Sequence, residues 1–117
     1  MAEGQANGSK PRDIEFYGGA SRFELELEFV QSLSNPLYIQ HLAAQKYLED
    51  ADFIRYLDYL QYFREPKYMK FLQYPGPTLR ALELLQQEQF RRDAISPALV
   101  DQMVTSGFEA ATAGLGR

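Results

Sequence analysis

The groups in this chain that could bind or react are eight tyrosines, sixteen acidic side chains and one histidine, and there is no cysteine. The lack of cysteine excludes a disulfide framework, a thiolate zinc site and a cysteine nucleophile. His41 is the only imidazole. Zinc needs three or four suitably spaced ligands, so His41 reads as a packed or surface residue. The same histidine would have to serve every Ser-His-Asp scheme, and none can be defended. Asp50 and Asp52 are close in sequence, but their simplest role is to cap a helix and complement its dipole. Glu26 lies on an otherwise apolar arc. As a lone carboxylate it lacks the second group that acid–base chemistry requires. A carboxylate that sits at an edge, or that pairs with a tyrosine hydroxyl or an arginine, is therefore preferred over a partner-facing or catalytic acid. No glycine-rich phosphate loop follows a strand. With the usual catalytic roles unfilled, the expectation is a non-enzymatic protein with no cofactor, metal or small-molecule substrate.

The tyrosines remain. Five of the eight, with three of the eight phenylalanines, fall between Asp50 and Tyr74. Helical spacing places Phe53, Tyr56, Leu57, Leu60 and Phe63 on one face. Arg55, Asp58 and Tyr62 fall opposite, and Tyr59 at the edge. Aromatic side chains are enriched at protein interfaces, although a tyrosine also packs in a core when its hydroxyl finds a partner. Grooves lined by tyrosine suit extended proline-rich peptides. Composition therefore favours a helical interaction module, with Tyr38, Tyr59, Tyr62, Tyr68 and Tyr74 as candidate partner-binding anchors. Nucleic-acid binding by stacking is the competitor. A net charge of −4 and the absence of a basic stripe count against it.

The elements that must position these tyrosines read as helices. Phe23–Phe29 alternates like a strand, but Leu and Glu favour helix, and Ser21 with Glu24 completes a capping box. This predicts a helix from Arg22 to Leu33, with Phe23, Leu27, Val30 and Leu33 inward. Asn35-Pro36 starts a second helix, running to Tyr47 or Leu48. Asp50 or Asp52 caps the tyrosine-rich helix, which runs to Phe63 or Arg64. Glu65-Pro66 starts another. Tyr74-Pro75-Gly76-Pro77 reads as the clearest break, with Thr78 helping to cap a helix that continues to Phe90 or Arg92. Ser96-Pro97 opens a short helix to Val104 that Gly107 stops. The last ten residues are expected to fray.

The sum is an all-α fold, a small bundle of five or six helices over residues 21–105, with flexible tails at 1–20 and 106–117. Within the first tail, Ile14, Phe16 and Tyr17 form an apolar patch that either folds back on the domain or has no role. A chain of 117 residues can bury a sizeable core as one domain. No apolar segment of signal-peptide type opens it and no apolar run is long enough to span a bilayer. A soluble intracellular protein with no membrane partner is expected.

The residues from Phe23 to Asp93, about three-fifths of the chain, resemble the conserved domain of the Mediator subunit 31 family. The matching motifs are Phe23–Gln31, Asn35-Pro36-Leu37-Tyr38, Tyr56–Tyr62, Glu65-Pro66-Lys67-Tyr68, Leu72-Gln73-Tyr74-Pro75, Leu82–Gln86 and Phe90-Arg91. Their order and spacing together are specific. The resemblance implies a non-catalytic helical bundle in the nucleus, acting in RNA polymerase II transcription within the Mediator coactivator. It implies a direct partner, the N-terminal part of Mediator subunit 7, which wraps the bundle partly through an extended proline-rich segment, alongside other middle-module subunits. The sequence departs from the family at two places. Phe63 stands where members usually carry Trp, and after Asp93 the usual aromatic, basic segment is replaced by Ala94-Ile95-Ser96-Pro97. A generic helical adaptor with another partner is the alternative reading.

Overall fold

The structure, a computed structural model, describes residues 16–17 and 20–111. Most of the tail expected at 1–20, Ile14 included, and the end of the one expected at 106–117 lie outside the described residues. The described chain forms seven α-helical segments with two short 3-10 segments, preceded by a minimal antiparallel pair. In that pair β1 (Phe16–Tyr17) runs against β2 (Ala20–Ser21), with Phe16 opposite Ser21.

α1 spans Arg22–Ser32 and begins with the expected capping box. The Glu24 amide donates to Ser21 Oγ at 3.1 Å, and the Ser21 amide to Glu24 Oε1 at 2.8 Å. These bonds satisfy amides that the first helical turn leaves without partners. α2, Pro36–Ala44, is capped by Asn35. It ends three residues before Tyr47, because Lys46 takes a left-handed conformation (φ 69°). A 3-10 turn at Tyr47–Glu49 then leads to Asp50, whose carboxylate accepts from the Asp52 and Phe53 amides at the start of α3, Ala51–Tyr59. The tyrosine-rich helix continues to Arg64 as expected, but from Leu60 onward it tightens into a 3-10 helix. α4 is a single turn, Pro66–Met69.

The Pro75-Gly76-Pro77 run does not precede a helix but forms its first turn: α5 is Pro75–Leu85. Proline lacks an N–H, and the first helical turn has no intrahelical acceptor for one. Thr78 therefore lies inside the helix and does not cap it; its amide donates to the Tyr74 carbonyl at 3.0 Å. The helix expected to reach Arg92 divides at Gln86-Gln87, and α6 is Glu88–Asp93. Arg91 caps the break, donating from Nη1 to the Leu85 carbonyl at 2.7 Å. α7, Pro97–Ala111, is broken at Gly107 (φ 85°, ψ 166°), where the expected stop lies. Helix resumes beyond it, and Phe108, expected to fray, is buried instead.

α5 is the centre of the bundle. Thr78, Ala81, Leu82, Leu84 and Leu85 are all buried, a band of about 160° at helical spacing, with half-buried Leu79 and Arg80 at its edges. Around it pack α1, α3, the 3-10 segment Leu60–Arg64, α6 and α7. The core also takes in Val30 of α1 and Leu33 just beyond it, Ile39 and Leu42 of α2, Leu57, Leu60 and Phe63 from the tyrosine-rich stretch, Phe90 of α6, and Val100, Met103 and Phe108 of α7. Each such side chain contributes about 1.5–3 kcal/mol on full burial. Among the described residues, no helix is long and apolar enough to cross a membrane.

Candidate partner-binding groove

The change of helix type at Leu60 decides where the tyrosines point. A 3-10 residue turns about 20° further than an α-helical one, so Tyr62 is rotated by about 40° toward Tyr59 relative to a uniform α-helix. Tyr62 consequently does not face away from the apolar side. It is half-buried, its ring 5.3 Å from that of Tyr59 and 4.4 Å from that of Phe63. The same rotation sets Phe63 in line with Leu60, and both are fully buried.

Both phenols reach Glu26 on α1. Tyr62 donates to Glu26 Oε1 at 2.6 Å, and Tyr59 lies 3.1 Å from each carboxylate oxygen. Glu26 is only 6% exposed, and Arg22, one turn earlier, places Nε 3.7 Å from Oε2. The lone acid on the apolar arc is thus a tyrosine and arginine partner, one of the roles preferred from sequence. Burial, followed by the hydrogen bond to Glu26, pushes the Tyr62 phenol well above the ordinary tyrosine range. Tyr59 shifts the same way for the same reasons, and Tyr56 through burial and the Glu26 charge. All three phenols are therefore neutral donors at physiological pH.

Above this cluster lies a groove of about 640 Å³ lined by Phe23, Glu26, Tyr59, Tyr62 and Tyr68, with Arg22, Lys67, Glu65 and Ser21 at its rim. Tyr68, from α4, meets Tyr62 edge-on at 4.9 Å and lies 6.0 Å from Phe23. Lys67 places Nζ 5.2 Å from the centre of the Tyr68 ring. Pro66 fixes this arrangement, since it restarts the chain as α4 directly after the 3-10 segment.

Three of the five candidate anchors, Tyr59, Tyr62 and Tyr68, are brought together here, and the other two are not. Tyr38 is half-buried on α2, between Phe29 (6.2 Å, edge-on) and His41 (6.0 Å, stacked). It joins the groove only through a continuous ring ladder that runs Tyr38–Phe29–Tyr56–Tyr59–Tyr62. Tyr74 is 58% exposed just before α5 and outside the groove. Phe23 and the rim cations Arg22 and Lys67 were not singled out from sequence. The tyrosine surplus pointed to this place, and Glu26, an acid among inward positions, was a second signal for it.

A second cavity of about 440 Å³ is lined by Leu48, Glu49, Ile54, Glu88, Arg91, Arg92 and Ile95. Its charged groups are partly committed to one another, with Arg92 bound to Glu88 at 2.7 Å. Among the described residues no group of three His, Cys, Asp or Glu side chains could hold a metal ion.

The family model Med31, described as SOH1, matches residues 20–113, which include the whole groove. The chain belongs to the Mediator subunit 31 family. It is 63% identical over 95 residues to "Mediator of RNA polymerase II transcription subunit 31" of Phaeosphaeria nodorum, covering 81% of this chain and 83% of that protein. The Neurospora crassa protein of the same name is 64% identical over 94 residues, 80% of this chain and 70% of that one. The Arabidopsis thaliana member is 54% identical over 81 residues, covering 69% of this chain and 41% of its own length. Membership places the chain among structural transcription-complex subunits and not among enzymes. At the position where members usually carry Trp, Phe63 is fully buried, stacked on Phe23 at 5.8 Å and on Tyr62.

Proposed function

We propose that this chain is a structural subunit of the Mediator of RNA polymerase II transcription, working in the nucleus by binding the N-terminal segment of Mediator subunit 7. The observation that carries the reading is the groove of Phe23, Tyr59, Tyr62 and Tyr68 in a member of this family. Ring faces held at fixed angles suit an extended proline-rich segment, which enters binding with little conformational entropy left to lose. Tyr59, Tyr62 and Tyr68 act as anchors in the groove. Tyr38 and Tyr74 are reached where the segment wraps beyond it, together with other middle-module subunits. The net charge of −4 supports protein recognition over nucleic-acid binding.

The test is co-expression of residues 1–117 with the subunit 7 segment, followed by gel filtration with light scattering. A one-to-one complex, weakened by Tyr62→Ala or Tyr68→Ala by about 2 kcal/mol or more, is the expected outcome. A folded monomer that ignores the segment would sink the reading and leave a helical adaptor with a different partner.

A further inference from the structure

Glu26 is a nearly buried carboxylate at the floor of a surface groove, with two phenols aimed at it. An ionised carboxylate carries no proton and can only accept. Tyr59 and Tyr62 must therefore both donate. Each phenol has a single proton, and each proton is committed to Glu26. What the groove offers a ligand is then ring faces, phenol lone pairs, and the charged donors Arg22 and Lys67 at the rim.

We propose that Glu26 is a positioning and specificity-determining residue of this groove. By taking the hydroxyl protons of Tyr59 and Tyr62 it locks both rings and makes the groove read its ligand through ring faces instead of through phenolic donors. The inference rests on the groove being the binding site proposed above. Its ligand chemistry follows. A proline ring packs on a tyrosine face and carries no N–H, so it needs no polar partner from the two phenols. Carbonyl oxygens of the segment find their donors in Arg22 and Lys67. Arg22 is suited to this because its side chain is mostly solvent-exposed despite its approach to Glu26.

Glu26 could instead serve stability alone. Removing one partner of a buried charged cluster is the destabilising case, so urea unfolding of Glu26→Leu, measured beside its affinity, separates the two roles. The experiment measures affinity of the full chain for the subunit 7 segment by calorimetry. Tyr59→Phe and Tyr62→Phe, each of which frees one ring from Glu26 but adds no donor to the groove, should lose less than Glu26→Leu, which frees both, while Tyr62→Ala should lose about thirtyfold. Glu26→Leu should lose about tenfold, and Glu26→Gln, which keeps one acceptor, should lose less. If Tyr62→Phe is as weak as Tyr62→Ala, or Glu26→Leu binds like wild type, the proposal is overturned. A ligand-free measurement keeps it distinct from the function it rests on. The ring-flip rates of Tyr59 and Tyr62, followed by NMR at neutral pH, should rise in Glu26→Leu, because the hydroxyls lose the carboxylate that holds them. Unchanged ring motion overturns the proposal even if the segment binds. Faster ring motion with no binding by wild type leaves Glu26 holding the phenols and removes the subunit 7 reading.

Discussion

Thr78 sits inside the central helix, 1% exposed, and its hydroxyl is buried with no hydrogen-bond partner. A hydroxyl taken from water without compensation costs about 1–3 kcal/mol in proteins. Thr78→Val replaces that hydroxyl with a methyl of nearly the same shape. Helix propensity hardly changes, since Thr and Val rank together. The added methyl contributes up to about 0.8 kcal/mol of burial, offset by some crowding in a packed core. The net expectation is a gain of about 1–2 kcal/mol, which is about 4–8 °C in Tm for a domain of this size. Urea unfolding followed by far-UV circular dichroism measures it, and an unchanged slope would show that the unfolded state is unaffected. Thr78→Ser is the control: it keeps the hydroxyl, removes the methyl, and should destabilise. If Thr78→Val destabilises while Thr78→Ser is neutral, the hydroxyl has a partner, such as the Tyr74 carbonyl or a buried water, and the reasoning fails.

Two further outcomes follow from the same geometry. Tyr56, Tyr59 and Tyr62 all ionise above the ordinary phenol value when folded. The unfolded chain loses these protons near pH 10 while the native chain keeps them. Their contribution is thus fully present below about pH 10 and is lost as pH rises through the folded values. Phenolate absorbance should rise together with loss of helix above about pH 10, and Tyr62→Phe should flatten that pH dependence; equal slopes in both proteins would contradict it. Gly107 holds φ 85° and ψ 166°, a region open almost only to glycine, although a Cβ there would meet no atom within 4 Å. Gly107→Ala should therefore cost about 1–3 kcal/mol from the backbone alone, read as a lower Tm, and a neutral result would mean that the break is not required to deliver Phe108 to the core.

The helices and their starts were legible in the sequence because they rest on local chemistry. Ser21 with Glu24, Asn35-Pro36, Asp50 and Pro66 each satisfy or remove amides within a few residues of themselves, and no distant contact is needed. Family membership was legible too, since motif order survives without any knowledge of packing. The departures are places where distant contacts or accumulated geometry decide. Nothing local marks Leu60 as the residue where an α-helix tightens, yet that change turns Tyr62 from an outward residue into a groove wall. Pro75-Gly76-Pro77 resembles a break, yet a first helical turn needs no intrahelical amide donors, so the run starts α5 while still exposed, and the buried face begins at Thr78. Sequence alone could mark Glu26 as an acid among inward positions. Only the tertiary structure could bring Tyr59 and Tyr62 to it across more than thirty residues, because a pairing at that separation depends on how α1 crosses the tyrosine-rich stretch, and helical periodicity within one segment carries no information about that crossing.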